Sequence, residues 1–199
     1  MPKIILDFDY TLFDVDKFKD AMYKAVRPYL INKTRKFWDD EKHAIQNKLA
    51  FYDHKAHIKN IVEPKDVKRA EIAVNKVIKN SKKYLYKDTL DFIKKYKKHK
   101  IYIVSFGVDG FQKEKIKATG IDKKAKVIIT RGKKYPYFKK IVKKNEVGIF
   151  IEDKGSEIDM VKKNYPQIVC YWMRRKNGRF RNDPCKKFDY KINNLKINI

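Results

Sequence analysis

The chain has 199 residues and a formal net charge of +26, and hydrophobic residues make up 43% of it. This length suits one domain, or one core domain with an insertion, and the hydrophobic content is too high for a disordered protein. The chain opens without an apolar signal segment, has no apolar run near the ~20 residues of a membrane helix, and carries only two cysteines, so we expect a soluble, cytoplasmic protein with no membrane partner.

The excess of basic residues has two interpretations. Clustered cations bind nucleic acid by releasing counterions from its phosphates. Only eight of the 50 basic residues are arginine, the side chain best suited to bidentate phosphate contacts, and the lysines are spread over the whole chain. A genome biased towards lysine codons would give the same composition. Nucleic acid therefore stays an alternative partner, and solvated helix faces are the favoured interpretation.

The first third of the chain predicts one strand followed by helices. Residues 4–8 form a nearly continuous apolar run rich in branched side chains, which predicts a buried parallel strand. Apolar residues then recur at helical spacing as far as Leu30, with Asp16 placed to cap this helix. Residues 39–52 predict a second helix, and Pro64 opens a third that continues past Ile78. No strand pattern interrupts residues 16–82, which therefore predict an all-α insertion.

The rest of the chain alternates between strand and helix patterns. Strands are predicted at residues 100–105, 126–130, 147–151 and 167–173, and helices at 85–97, 111–118, 137–144 and 157–164. Asn177-Gly178 predicts a hairpin, and residues 190–192 predict a short final strand. This alternation predicts an α/β fold with a doubly wound parallel sheet, built from residues 1–15 and 83–199 and covered by helices on both faces.

Polar residues follow four of the predicted strands. In a doubly wound sheet, ligands bind beyond the carboxyl ends of the strands, so these residues are expected to converge. They are Asp7, Asp9 and Thr11 after the first strand, Ser105 after the second, Arg131, Lys133 and Lys134 after the third, and Glu152, Asp153, Glu157 and Asp159 after the fourth.

Their chemistry predicts phosphoryl transfer assisted by a metal ion. Oxygen ligands without a nearby His or Cys pair favour a hard ion such as Mg2+, which commonly binds one or two carboxylates together with a substrate phosphate. With its charge neutralised, Asp7 could attack the phosphoryl group as nucleophile, and Asp9 could act as general acid and base. Ser105 and one of the two adjacent lysines could stabilise the transferring oxygens, and Thr11 is expected to order the loop.

Four segments in order resemble the motifs of the haloacid dehalogenase-like (HAD) superfamily. Asp7-Phe-Asp-Tyr-Thr resembles motif I, DxDxT, and residues 101–107 with the following helix resemble motif II. Lys134 resembles the motif III lysine, with Lys133 as a close competitor, and residues 150–158 resemble motif IV. The resemblance spans nearly the whole chain and implies a HAD Rossmann-like core, with residues 16–82 in the place where many members carry a helical cap.

The resemblance also implies roles for individual residues. It implies an aspartyl-phosphate on Asp7, acid and base work by Asp9, and Mg2+ held by Asp7, the Asp9 backbone carbonyl and Asp153. Dehalogenases of the superfamily lack the second motif I aspartate, so Asp9 favours hydrolysis or transfer of a phosphate ester. Two positions depart from the pattern. Glu152 replaces the usual Gly or Asp and could bind the metal instead of Asp153, and Glu157 stands where a second Asp is common, with Asp159 as its alternative.

We therefore expect a Mg2+-dependent phosphomonoester hydrolase that acts on a small phosphorylated metabolite or nucleotide. A phosphatase for nucleic-acid ends and a polyanion-binding protein on an inactive scaffold are the alternatives, and a phosphomutase also stays open. Within the helical block, the polar side chains of Arg35, His43, His54 and His57 are expected at the exposed surface.

Overall fold

The protein contains a single sheet of six parallel strands among the residues that the computed structural model describes, 1–32 and 52–199. The strands are β1 (Lys3–Leu6), β2 (Ile101–Phe106), β3 (Lys126–Thr130), β4 (Gly148–Glu152), β5 (Ile168–Met173) and β6 (Tyr190–Ile192). Their order is β3-β2-β1-β4-β5-β6, and every neighbouring pair is parallel. The predicted doubly wound α/β fold is confirmed. Because the order reverses at β1, the crevice for a ligand lies beyond the carboxyl ends of β1 and its neighbours.

Seven helices connect these strands within the described ranges. They are α1 (Val15–Val26), α2 (His54–Ile61), α3 (Val67–Lys79), α4 (Thr89–Lys95), α5 (Asp109–Thr119), α6 (Tyr135–Phe138) and α7 (Gly155–Asn164). Asp14, rather than the expected Asp16, caps α1, because its carboxylate accepts a hydrogen bond from the Lys17 backbone N–H at 3.1 Å.

Helices cover both faces of the sheet. Successive residues of a strand point to opposite faces, so Ile4 and Leu6 of β1 join one buried apolar cluster while Ile5 joins another. The first cluster contains side chains from α1 to α5, and the second contains side chains from α6 and α7. This double cover explains why the strands read as continuous apolar runs rather than alternating ones.

The region expected to be all-helical contains no strand in its described part. Helices α1, α2 and α3 occupy it together with short 3-10 turns, and α1 packs against α3 through the apolar faces that helical spacing predicts. The helix expected over residues 39–52, and with it Arg35 and His43, falls almost wholly outside the described residues. The exposed positions expected for His54 and His57 are wrong, because both side chains are buried.

Three local predictions differ from the structure. The hairpin at Asn177-Gly178 is wrong because β6 runs parallel to β5, and the intervening residues form a loop in which Gly178 N–H bonds the Arg175 carbonyl. The helix expected from residue 85 starts only at Thr89, since the backbone at Tyr84 and Tyr86 bonds the loop after β1. The helix expected over 137–144 is α6 followed by turns, which give similar spacing of apolar residues.

No helix in the described ranges is both long and apolar enough to span a bilayer.

Candidate active site

A tight turn after β1 carries the first two acidic residues. The N–H groups of Leu12 and Phe13 both donate to the Phe8 carbonyl, and the Tyr10 N–H donates to the Phe13 carbonyl. Tyr10 adopts a left-handed backbone conformation (φ 58°), which a non-glycine residue takes only when its surroundings hold it. Its hydroxyl donates to Asp16 at 2.9 Å, and the buried Phe8 and Phe13 rings stack at 4.9 Å. The turn therefore fixes the backbone between Asp7 and Thr11.

Three buried carboxylates meet where β1 and β4 end. Asp7, Glu152 and Asp153 each place a carboxylate oxygen within 4.8 Å of the others. The two strands are direct neighbours, and the Asp7 N–H donates to the Ile151 carbonyl at 2.9 Å, so sheet register brings the side chains together. One oxygen of Asp153, Oδ2, has no hydrogen-bond partner among the described residues.

Lys134 supplies the counter-charge to this cluster. Its ammonium group donates to Asp7 and, at 2.5 Å, to Glu152, and the side chain is almost fully buried. Lys133, its neighbour, is exposed on the rim of the pocket. The structure therefore places Lys134, and not Lys133, against the carboxylates.

Burial and mutual repulsion shift the titration of the cluster. Burial, and then the nearby charge of Glu152, raise the pKa of Asp7 to about 7, although Lys134 opposes the shift. Burial, and then Asp7 and Glu152, raise the pKa of Asp153 to about 10. Burial alone would lower the pKa of Lys134, but Asp7 and Glu152 hold it above its usual value. The raised pKa values of Asp7 and Asp153 show that one ammonium does not offset three ionised carboxylates, and a further cation would favour their ionised forms.

The cluster fits a hard divalent cation. Its donors are carboxylate oxygens, they lie within reach of one ion, and Oδ2 of Asp153 is buried without a hydrogen-bond partner among the described residues. Such buried oxygen donors suit Mg2+ better than they suit a soft metal.

Asp9 contacts other residues than the cluster of Asp7, Glu152 and Asp153 does. It accepts hydrogen bonds from the Gln112 side-chain amide at 2.8 Å and from the Lys115 ammonium at 2.7 Å. The same Gln112 nitrogen lies 2.7 Å from the Ser105 hydroxyl at the end of β2. Gln112 therefore ties Asp9 to Ser105 and fixes both side chains towards the pocket.

Sequence reasoning missed Gln112 and Lys115. They lie three residues apart on one face of α5, which is the spacing of neighbours on a helix surface. Both are buried, and a lysine on the buried face of a helix was the available signal. The Lys115 ammonium lies 5.1 to 5.7 Å from the ring centroids of four phenylalanines, Phe8, Phe13, Phe18 and Phe111.

The remaining predicted site residues have other partners. Glu157 accepts a hydrogen bond from the Lys134 backbone N–H at 3.0 Å and stays outside the three-carboxylate cluster. Asp159 accepts from the backbone N–H groups of Lys186 and Lys187, so it anchors the loop before β6. The Thr11 side chain is buried, and the backbone carbonyl of Thr11 accepts a hydrogen bond from the Arg175 guanidinium at 2.9 Å.

A cavity of about 570 Å³ opens above these groups. Asp7, Asp9, Ser105 and Lys134 lie among the residues that line it. Apolar side chains form much of its wall, and basic side chains are added around them. The apolar and aromatic ones are Tyr10, Val15, Phe18, Met22, Tyr52, Phe106, Val108, Phe111 and Phe180, and the further basic ones are Lys19, Lys115, Lys133, Lys154 and Arg179.

Solved structures with the same fold are HAD-like hydrolases. A haloacid dehalogenase-like hydrolase from Burkholderia xenovorans matches with a TM-score of 0.74 at 16% identity, over 98% of this chain and 94% of that one. The HAD-hydrolase YfnB from Bacillus subtilis, bound to magnesium, matches with a TM-score of 0.62 at 14% identity, over 98% and 95% of the two chains. A beta-phosphoglucomutase from Thermotoga maritima matches with a TM-score of 0.61 at 13% identity, over 96% and 94%.

Dehalogenases are also among the matching structures. No protein-family model matches the chain, and no curated protein matches it by sequence. The chain therefore has the HAD-like hydrolase fold, and its identity to these neighbours is too low to carry their substrates over.

Proposed function

We propose that the protein is a Mg2+-dependent phosphomonoester hydrolase that works through an aspartyl-phosphate on Asp7. The observation that carries the proposal is the presence of two separately held aspartates on one turn. Asp7 lies in the buried cluster with Lys134, and Asp9 is held by Gln112 and Lys115. Dehalogenases and phosphomutases share the fold, so the fold alone does not choose the reaction. A second positioned aspartate supports phosphate-ester chemistry, since it can protonate an alkoxide leaving group.

The carboxylates of Asp7, Asp153 and Glu152 would hold the metal. Mg2+ bound there would offset the negative charge shared by the phosphate and the carboxylates. The magnesium in the Bacillus subtilis neighbour supports this assignment. Binding through the Asp9 backbone carbonyl or Glu157 stays a prediction.

The side chains then perform two displacements at phosphorus. An oxygen of Asp7 attacks the phosphorus atom, the ester P–O bond breaks, and Asp9 gives its proton to the leaving oxygen. Asp9 next takes a proton from a water molecule, whose oxygen attacks the phosphorus atom. The bond between phosphorus and Asp7 then breaks and releases inorganic phosphate. Lys134 and Ser105 line the cavity, and in this proposal the ammonium group and the hydroxyl stabilise the phosphoryl oxygens in both steps.

The helical region forms part of the pocket wall. Phe18 and Met22 of α1 line the cavity, and so does Tyr52. We propose that residues 16–82 act as a cap on a core of residues 1–15 and 83–199, and that this cap excludes bulk water during the reaction. The cavity has room for a small phosphorylated molecule or for one terminal nucleotide of a longer one.

Turnover of p-nitrophenyl phosphate tests the proposal. We expect phosphate release with Mg2+, loss of release in EDTA, and loss in Asp7→Asn. Asp91→Asn, an exposed change on α4, is the matched control and should keep full activity. Full activity in Asp7→Asn would remove the proposed nucleophile. Release of chloride from 2-chloropropionate, with no release of phosphate, would favour a dehalogenase instead.

A further inference from the structure

Arginine is concentrated in one short loop of this lysine-rich chain. Four of the eight arginines, Arg174, Arg175, Arg179 and Arg181, lie within eight consecutive residues between β5 and β6. A bias towards lysine codons accounts for the spread of lysines, and it does not account for this cluster. Arginine contacts phosphate through a rigid fork of donors, so its concentration points to a phosphate-bearing partner.

Residues of this loop line both the active-site cavity and a second groove. Arg179 and Phe180 line the cavity that contains Asp7, and the next residue, Arg181, lines an open groove of about 520 Å³. Consecutive Cα atoms are about 3.8 Å apart, so neighbouring residues of one loop line both concavities. The groove is lined by Arg174, Lys176, Arg181, Lys191, Asn193 and Asn194, and none of the described residues that line it is acidic.

The backbone of the loop is held in place by its own arginines. Arg174 donates to the Phe180 carbonyl at 3.2 Å, and Arg181 donates to the Lys176 carbonyl at 3.0 Å. Arg175 is buried and forms a bidentate pair with Asp88, which fixes the start of the loop. A guanidinium carries five N–H donors, so Arg174 and Arg181 keep donors for a phosphate.

Exposed aromatic rings accompany these cations. Phe106, 49% exposed, lies in the wall of the active-site cavity. Phe188, 38% exposed, lies 5.1 Å from the Trp172 ring, and the Arg174 guanidinium stacks on that ring at 4.1 Å. These rings lie in the cavity and beside Arg174, not among the residues that line the groove. Single-stranded nucleic acid binds where phosphates pair with cations and bases stack on nearby rings.

We propose that the substrate is the phosphorylated end of a single-stranded nucleic acid. The terminal phosphate enters the Asp7 cavity, and the following phosphates lie past Arg179 and along the groove of Arg181, Arg174 and Lys191. This inference rests on the proposed phosphatase function and names its substrate class.

The test compares a ten-nucleotide strand with a mononucleotide. Phosphate release is measured from 5′- and 3′-phosphorylated strands and from the matching nucleoside monophosphates, at low and at moderate salt. We expect kcat/KM for one of the strands to exceed that of its mononucleotide about tenfold at low salt and to fall as salt rises. The double variant Arg181→Gln/Lys191→Gln should lower strand turnover about tenfold and mononucleotide turnover by less than about twofold, since Arg181 also bonds the Lys176 carbonyl of the loop.

The variant Lys68→Gln/Arg69→Gln is the matched control. It removes one lysine and one arginine that are exposed on α3, and both substrates should be turned over as by the wild-type protein. Equal kcat/KM for strands and mononucleotides, or unchanged strand turnover in Arg181→Gln/Lys191→Gln, would overturn the inference.

Binding separates this inference from the proposed function. Fluorescence anisotropy of a labelled strand should show tight binding to the Asp7→Asn protein and weaker binding when Arg181→Gln/Lys191→Gln is added. Such binding, without turnover of any phosphate ester by the wild-type protein, would contradict the proposed phosphatase function and would still support strand binding in the groove. Displacement by inorganic polyphosphate as effective as by unlabelled strand would overturn the assignment to nucleic acid.

Discussion

The Lys115 ammonium lies 2.7 Å from the Asp9 carboxylate, and the lysine side chain is only 4% exposed. Lysine is seldom buried this far unless it is paired. The carboxylate of Asp9 and the surrounding phenylalanine rings together hold the Lys115 ammonium in position. Asp9 itself is partly exposed to the cavity. Lys115 lies at the inner wall of the cavity, where its ammonium group bonds Asp9, and we infer that it positions this side chain.

Replacing Lys115 tests this role. Lys115→Met keeps the length and the apolar packing of the side chain and removes one of the two donors to Asp9. We expect kcat for p-nitrophenyl phosphate to fall at least about tenfold with KM nearly unchanged, because positioned acid and base groups contribute about 10²–10⁴-fold. The free energy of unfolding should fall by about 1–3 kcal/mol, less than for removal of a fully buried counter-charge, because Asp9 is 31% exposed and keeps its hydrogen bond from Gln112.

Lys117→Met, an exposed change on the same helix, is the control and should leave both kinetic constants unchanged. If Lys115→Met unfolds more easily and keeps its kcat, the lysine serves stability alone.

Lys134 and Lys133 should differ sharply in their effect on stability. Lys134→Ala leaves Asp7 and Glu152 buried without their shared cation, which should lower the free energy of unfolding by about 3–5 kcal/mol. Lys133→Ala removes an exposed side chain and should change it by less than about 0.5 kcal/mol. Urea unfolding of both variants in EDTA measures the difference, and equal values would contradict the assignment of Lys134 to the cluster.

The strands, and the polar residues that follow them, were predictable from the sequence, because buried parallel strands form continuous apolar runs. Asp7, Ser105, Lys134 and Asp153 lie at or after the ends of four strands, and all four line one cavity. Features that depend on tertiary packing were harder to predict from the sequence. The parallel pairing of β6 depends on the whole loop after β5, and Asn177-Gly178 alone predicted a hairpin instead.

Side-chain partners were the least predictable feature. The choice between Lys133 and Lys134 depends on which one faces the sheet edge, and the two share the same sequence environment. Gln112 and Lys115 look like surface residues in a lysine-rich helix, and only the tertiary contact with Asp9 gives them a role. Their spacing on one helix face, with a lysine on the buried side of that helix, was the local signal.

Mg2+ should stabilise the protein, with a readout independent of turnover. A cation that binds the folded state alone raises the free energy of unfolding by about 2.7 kcal/mol at one hundred times its Kd. We expect Mg2+ to raise Tm in the wild-type protein and not in Asp153→Asn, which neutralises the cluster residue whose oxygen lacks a partner. Asp91→Asn, the exposed change on α4, is the matched control and should keep the rise. A rise that persists in Asp153→Asn would place the metal elsewhere.

The ion pair between Asp88 and Arg175 should make stability depend on acid pH. Partial burial alone would raise the pKa of Asp88, but hydrogen bonds from Arg175 and the Leu195 backbone lower it overall. A carboxyl whose pKa is lower in the folded state stabilises the protein above its unfolded pKa of about 3.9 and loses this contribution as pH falls through the folded value. We expect Asp88→Asn to cost about 2 kcal/mol at pH 7, and the gap to the wild-type protein to shrink below about pH 4.

Arg175 also donates to the Thr11 carbonyl, so this pair connects stability to the turn that carries Asp7 and Asp9. Urea unfolding between pH 3 and pH 7 measures the gap, with Asp91→Asn as the exposed control on α4. A gap that stays constant down to pH 3 would show that Asp88 contributes through packing and not through its charge. Because the pair holds the turn, kcat of Asp88→Asn should also fall at pH 7, whereas Asp91→Asn should match the wild-type protein.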